Sequence, residues 1–160
     1  MTQQNPSLMK GKKGLIFGIA NDHSIAWGIA KKLHEHGSEL AITYQNENFL
    51  RRIKPLANSL ECETLIPCDV EDENQIKNCF EEIKKQWSKI DFIVHAIAYS
   101  DKNELKGRYI DTSRQNFANT LNTSCFSFTE ITRYAYPLIK KNGSILTLSF
   151  EGARRVMPSY

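Results

Sequence analysis

The residues of this chain best suited to chemistry stand directly after short apolar runs. Gly18 closes "GLIFG" and leads into "IANDHSIAWG", where Ser24-Ile25 opens a helix-like segment. A glycine turn feeding a helix N-terminus offers backbone N–H groups and the positive end of a helix dipole, which suits a pyrophosphate. Gln45 ends "LAITYQ", and its amide can hydrogen-bond a ribose hydroxyl. Glu47 close by repels a 2′-phosphate, and no Arg or Lys follows until Arg51, so NADH is expected over NADPH. Asp69 and Val70 end "CDV", an acceptor for an adenine amino group with backbone beside it. Small Ala96 and Ala98 in "HAIAYS" allow backbone to approach a ribose or nicotinamide, and the phenol of Tyr160 stands at the last position.

Each of these residues also has a plain structural use. Ser24 fits an ordinary N-cap, as do Asp69 and Asp72 for the helix that follows them. Gln45 fits a polar strand end. His95 fits a packed, hydrogen-bonded histidine better than a general base. The G-x-G-x-x-G fingerprint is missing, and so is G-x-x-x-G-x-G: Gly18 is followed by five residues and then Ser-Ile-Ala. What favours binding is the order, because four successive strand ends each offer a group that a dinucleotide needs.

Those positions require an alternating frame, and the periodicity supplies one. Strands are predicted at 14–18, 39–44, 63–70, 90–98 and 144–150. Helical spacing joins them: Ile25, Ile29 and Leu33 stopped by Gly37, then 47–60 despite Pro55, then 74–87. A long helix runs from an N-cap at Ser113 through Leu138 and ends at Asn142-Gly143. Connections too long for hairpins imply right-handed crossovers and a parallel sheet covered on both faces. The expected class is α/β, a doubly wound Rossmann-like sheet of five strands in one NAD-binding domain over 1–160.

Composition agrees with a globular chain. Of 160 residues, 41% are hydrophobic and 24% charged, and the net charge of +3 is spread without a basic stripe, which argues against nucleic acid. Cys62, Cys68, Cys79 and Cys125 form no C-x-x-C pair and are expected as buried or inert thiols. His34 and His36, two apart on a helix, fall on different faces, so no metal is expected. The first residues, "MTQQNPSLMKGKKG", lack an apolar signal stretch, and no later segment suits a bilayer. A cytoplasmic setting is expected.

With these residues assembled, the chain resembles the bacterial NADH-dependent enoyl-acyl-carrier-protein reductases, a divergent branch of the short-chain dehydrogenases. The resemblance runs from Lys10 onward, through "GIANDHSIAWGIA", "LAITYQ", "CDV", "HAIAYSDKNELKGRYIDTS" and "LTLSFEGARRVMPSY". It implies that Gly18, Ser24, Ile25, Gln45, Asp69, Val70 and Ile97 surround NADH, that Ser100 touches substrate, and that Tyr160 is the catalytic tyrosine. The implied reaction is hydride transfer to the β-carbon of a trans-2-enoyl thioester carried on acyl carrier protein, in fatty-acid biosynthesis. The implied assembly is a homotetramer.

Two departures qualify these expectations. Phe150 stands where the family usually has a second active-site tyrosine. Family members also continue past the catalytic tyrosine into a lysine-bearing helix, a substrate loop and two more strands. The chain is therefore expected to be truncated at its C-terminus, with an exposed strand 144–150, poor solubility by itself and negligible turnover. Two alternatives stay open: a noncatalytic dinucleotide-binding module, and a short-chain reductase of another type such as a 3-oxoacyl reductase. The Ser-Ile-Ala turn and "HAIA" weigh against the latter.

Overall fold

The computed structural model describes residues 7–157. These residues form five strands and five α-helices in the order β1 (Lys13–Phe17), α1 (Ile25–Glu35), β2 (Glu39–Tyr44), α2 (Glu47–Ser59), β3 (Thr64–Pro67), α3 (Glu73–Gln86), β4 (Ile90–His95), α4 (Arg114–Leu121), α5 (Ser127–Ala135) and β5 (Ile139–Thr147). All strand pairings are parallel, in the order β3-β2-β1-β4-β5. This is the doubly wound α/β sheet that the alternation predicts.

The sheet separates two cores. One face packs Ile16, Ile42 and Val94 against Ala26, Ala30, Ile53 and Ala57 of α1 and α2. The other packs Leu15, Phe17 and Ile93 against Ile76, Cys79, Ile83 and Ile131 of α3 and α5. All six residues of β4 are buried because helices cover both of its faces. Each fully buried aliphatic side chain contributes about 1.5–3 kcal/mol, so β4 and its neighbours anchor the fold.

Helix starts follow their capping chemistry. Asn46 Oδ1 accepts from the N–H groups of Asn48 (3.1 Å) and Phe49 (3.3 Å) at α2. Asp72, and not Asp69, caps α3, accepting from Asn74 N at 2.9 Å. Ser113 caps α4 as expected, through Asn116 N at 3.1 Å. Gly37 follows α1 with φ +90, a left-handed stop that glycine adopts without strain.

The expected single helix to Leu138 differs from what is found. A π turn, Asn122–Phe126, separates α4 from α5, and the helix ends at Ala135. Asn142-Gly143 does not end it but lies inside β5, which begins at Ile139 and stops at Thr147. There the pairing with β4 is irregular, jumping from Ile90↔Ile139 to Phe92↔Ser144. Lys140 Nζ holds the bulge by donating to Asp91 Oδ2 at 2.8 Å, and glycine is required at 143, where a side chain would collide with Asp91 O. β4 stops at His95, short of the predicted Ala98, and β3 ends at Pro67. Among the described residues β5 forms a sheet edge, with Leu146 half exposed. Cys62, Cys68 and Cys79 are buried, whereas Cys125 is an exposed free thiol.

Candidate functional site

In strand order β3-β2-β1-β4-β5, the chain reverses direction across the sheet between β1 and β4, where a crevice opens beyond the strand ends. A cleft of about 640 Å³ occupies this place, and Gly18, Gln45, Asp69, Val70 and Ile97 all line it. Four strands thus deliver one residue or more each to a common wall.

Gly18 sets how closely the strand ends approach beneath the cleft. Its φ is +96, and a Cβ there would lie 2.1 Å from Ala96 O. The ends of β1 and β4 therefore approach as closely as backbone allows, which only glycine permits. Beyond it, the turn 19–24 folds onto the Ser24 hydroxyl, which accepts from Ala20 N and Asn21 N, both at 3.3 Å. Ser24 occupies the N-cap position of α1, but its side chain points back into this turn and caps no helix N–H. The first-turn amides of α1 are left without a side-chain cap, and the first turn carries no acidic residue. Both features suit an anion. Ser24 and Ile25 do not themselves line the cleft, and Ile25 is exposed.

At the opposite end, Gln45 Nε2 donates to Asp69 Oδ2 at 3.0 Å. Asp69 Oδ1 accepts from Glu71 N at 3.1 Å, and the Asp69 N–H donates to Gln75 Oε1 at 2.9 Å. Gln45 and Asp69, read separately from the sequence, form one braced rim. The cleft also contains Phe49, Glu71, Asn119 and Thr123, which sequence reasoning missed. Phe49 was visible only as part of an apolar helix face. Asn119 and Thr123 have the i,i+4 spacing of one helix face, a signal that gives pairing but not direction.

A second cavity of about 610 Å³ shares Ile97, Ala98 and Tyr99 with the first. Its walls are largely apolar, with Leu105, Phe117, Leu121, Leu148 and Phe150, and Ser100 at its margin. The Ser100 hydroxyl accepts from Thr120 Oγ1 at 2.9 Å and from Asn116 Nδ2 at 3.1 Å. Asn116 Oδ1 also accepts from Asp101 N at 3.0 Å. The loop over this cavity is fastened again where Glu104 accepts from both Ser113 N (2.8 Å) and Ser113 Oγ (2.7 Å).

His95 is fully buried beneath the floor that both cavities share. Nδ1 lies 3.0 Å from Thr147 Oγ1 and Nε2 2.9 Å from Ser127 Oγ. Burial pushes its pKa below the usual histidine value. It is a packed, bonded histidine that lines neither cavity. Tyr160 lies outside the described residues. Among the described residues, no group of three or more His, Cys, Asp or Glu could hold a metal, and no helix is long and apolar enough to cross a membrane.

The comparisons with known proteins agree with this geometry. The pattern of the family described as enoyl-(acyl carrier protein) reductase matches residues 18–160. The chain is 56% identical over 153 residues to "Enoyl-[acyl-carrier-protein] reductase [NADH] 2" of Rhizobium meliloti, covering 96% of this chain and 57% of that protein. A Rickettsia typhi enoyl-[acyl-carrier-protein] reductase [NADH] is 50% identical, with 96% and 59% covered. A crystal structure of the Anaplasma phagocytophilum enoyl-acyl-carrier-protein reductase in complex with NAD superposes with a TM-score of 0.95 at 52% identity, covering 98% of this chain and 60% of that one. The chain thus spans less than two thirds of the length of these relatives. With the pattern matched along almost the whole chain, and with the cleft where that fold binds its ligands, the chain belongs to the enoyl-(acyl carrier protein) reductase family.

Proposed function

We propose that this chain carries the dinucleotide site and part of the substrate site of an NADH-dependent enoyl-[acyl-carrier-protein] reductase of fatty-acid biosynthesis. The observation that carries this is the cleft beyond the ends of β1 and β4, where Gly18, Gln45, Asp69, Val70 and Ile97 from four successive strand ends share one wall. The uncapped N-terminus of α1 would receive the pyrophosphate, and the Gln45–Asp69 rim the adenosine half. Ile97, between the two cavities, would lie at the nicotinamide. Bound NADH would supply a hydride.

The chain's own groups orient and select. The apolar second cavity would hold the enoyl chain, with its β-carbon directed toward Ile97 and its thioester toward Ser100. Hydride addition at the β-carbon moves an electron pair onto the thioester oxygen, and the Tyr160 hydroxyl would donate to that oxygen. A donor so placed is worth roughly 3–4 kcal/mol in the transition state. The α-carbon then takes a proton from solvent. Phe150 closes the cavity with an aromatic wall but supplies no hydroxyl.

The homotetramer of the family and a cytoplasmic setting complete the reading. Phe126 and Tyr136 stand exposed on the π turn and at the end of α5, in support of assembly through these elements. The reading is tested by titrating the chain with NADH and following nicotinamide fluorescence. Saturable binding that NADPH does not match is expected, and no binding of either would overturn it.

A further inference from the structure

The π turn Asn122–Phe126 interrupts the helix that walls both cavities, at a point where nothing in its local sequence breaks a helix. Its hydrogen bonds show how it is held. The Ser127 N–H donates to Asn122 O, five residues back, and so leaves Thr123 O without its normal helical donor. The Ser127 hydroxyl takes over, donating to Thr123 O at 2.7 Å. With its only proton committed there, Ser127 Oγ faces His95 Nε2 at 2.9 Å as an acceptor. The ring must therefore carry its proton on Nε2, and Nδ1 accepts from Thr147 Oγ1 at 3.0 Å.

What the turn aims is the site. Thr123 Oγ1 is bonded to Glu71 across the first cleft, and both line it. Ser124 Oγ accepts from Tyr99 N at 3.0 Å and donates to Tyr99 O at 3.1 Å, fixing the wall between the cavities. An α-helical continuation would rotate these side chains by about 100° per residue gained or lost, away from both partners.

We propose that His95 is a positioning residue: as its Nε2–H tautomer it holds Ser127 in place of the missing backbone donor, keeping the π turn that directs Thr123 into the first cleft and Ser124 onto Tyr99. The functional consequence rests on the dinucleotide reading of that cleft; the structural claim does not.

Three measurements on the whole chain test it. Imidazole 15N spectra should show His95 protonated on Nε2; protonation on Nδ1 overturns the proposal. In His95→Leu, amide exchange at residues 123–127 should speed up, and NADH should bind about tenfold more weakly. In His95→Gln, whose amide reaches the position of Nε2, both should return to within about threefold of wild type. Asp91→Asn, at the far end of β4, serves as the control: it lowers stability but leaves exchange at 123–127 and NADH affinity of the folded protein unchanged. Undisturbed exchange at 123–127 in His95→Leu overturns the proposal, and so does an equal loss in the Leu and Gln variants. If wild type binds no NADH, the dinucleotide reading fails, while the spectra and exchange still decide the role of His95.

Discussion

At the scale of single residues, two positions carry more than their neighbours. Gly18 combines a left-handed backbone with a contact that excludes any side chain, so Gly18→Ala meets both strain and collision. The strain alone costs of order 1–3 kcal/mol, and the collision with Ala96 O requires β1 and β4 to part. We expect a lowered urea midpoint together with loss of NADH binding; an alanine variant with wild-type midpoint would refute the tight-turn argument. Gln45 and Asp69 show a different lesson. Each was legible as a strand-end polar group, but their mutual 3.0 Å bond was not, since 24 residues separate them. Gln45→Ala is expected to weaken NADH about tenfold, through loss of the proposed ribose contact and release of the Asp69 carboxylate together. Isothermal titration of Gln45→Ala, Asp69→Ala and the double variant would show this coupling as non-additivity.

At the scale of elements, capping and strand alternation were legible because they are local. Ser113 as an N-cap, Gly37 as a stop and the bounds of β2 all follow from residues within a few positions. Ser113 also fastens Glu104, and so ties the loop over the second cavity to α4. Ser113→Ala should therefore cost about 1 kcal/mol of stability. It should also expose Lys102, Lys106 and Arg108 to trypsin, and limited proteolysis monitored by mass spectrometry reads this directly. Unchanged cleavage would mean that the loop is held by the Asn116–Ser100 bonds alone. Two features that escaped the sequence, the π turn and the early start of β5, depend on distant partners. Ser127 needs His95, 32 residues away, and Lys140 needs Asp91, 49 away. "KKNG" has the chemistry of a turn when read locally; only the neighbouring strand makes it a bulge.

At the scale of the whole molecule, two buried titratable groups make the fold sensitive to acid. Burial alone would push the Asp91 carboxyl up, but the Lys140 ammonium, the Lys13 N–H and the Lys12 ammonium together hold it below the usual range. These contacts join the starts of β1, β4 and β5. Because the folded pKa lies below the unfolded one, this stabilisation is complete above about pH 4 and is lost as pH falls through the folded value. His95 acts in the same direction at higher pH. Its folded pKa is depressed by burial, so below about pH 6.5 the unfolded chain takes up a proton that the folded chain refuses. Stability should decline in two steps on acidification, the first absent in His95→Gln and the second reduced in Asp91→Asn. Melting temperatures measured between pH 8 and pH 3 would show both steps, and a single step unaffected by either variant would count against this account.

The sequence by itself determined the fold class, the order of the elements and which strand ends carry polar groups, because periodicity, capping and turn chemistry act over a few residues. It also placed Gly18, Gln45, Asp69, Val70 and Ile97 at positions that the structure brings to one cleft. Only the tertiary structure decided what those groups touch. It turned the Ser24 hydroxyl away from its helix, joined Gln45 to Asp69, and brought Phe49, Asn119 and Thr123 to the same wall. It also set His95 beneath the π turn. These outcomes depend on which side chains meet across the sheet, and sequence spacing does not encode distances between residues tens of positions apart.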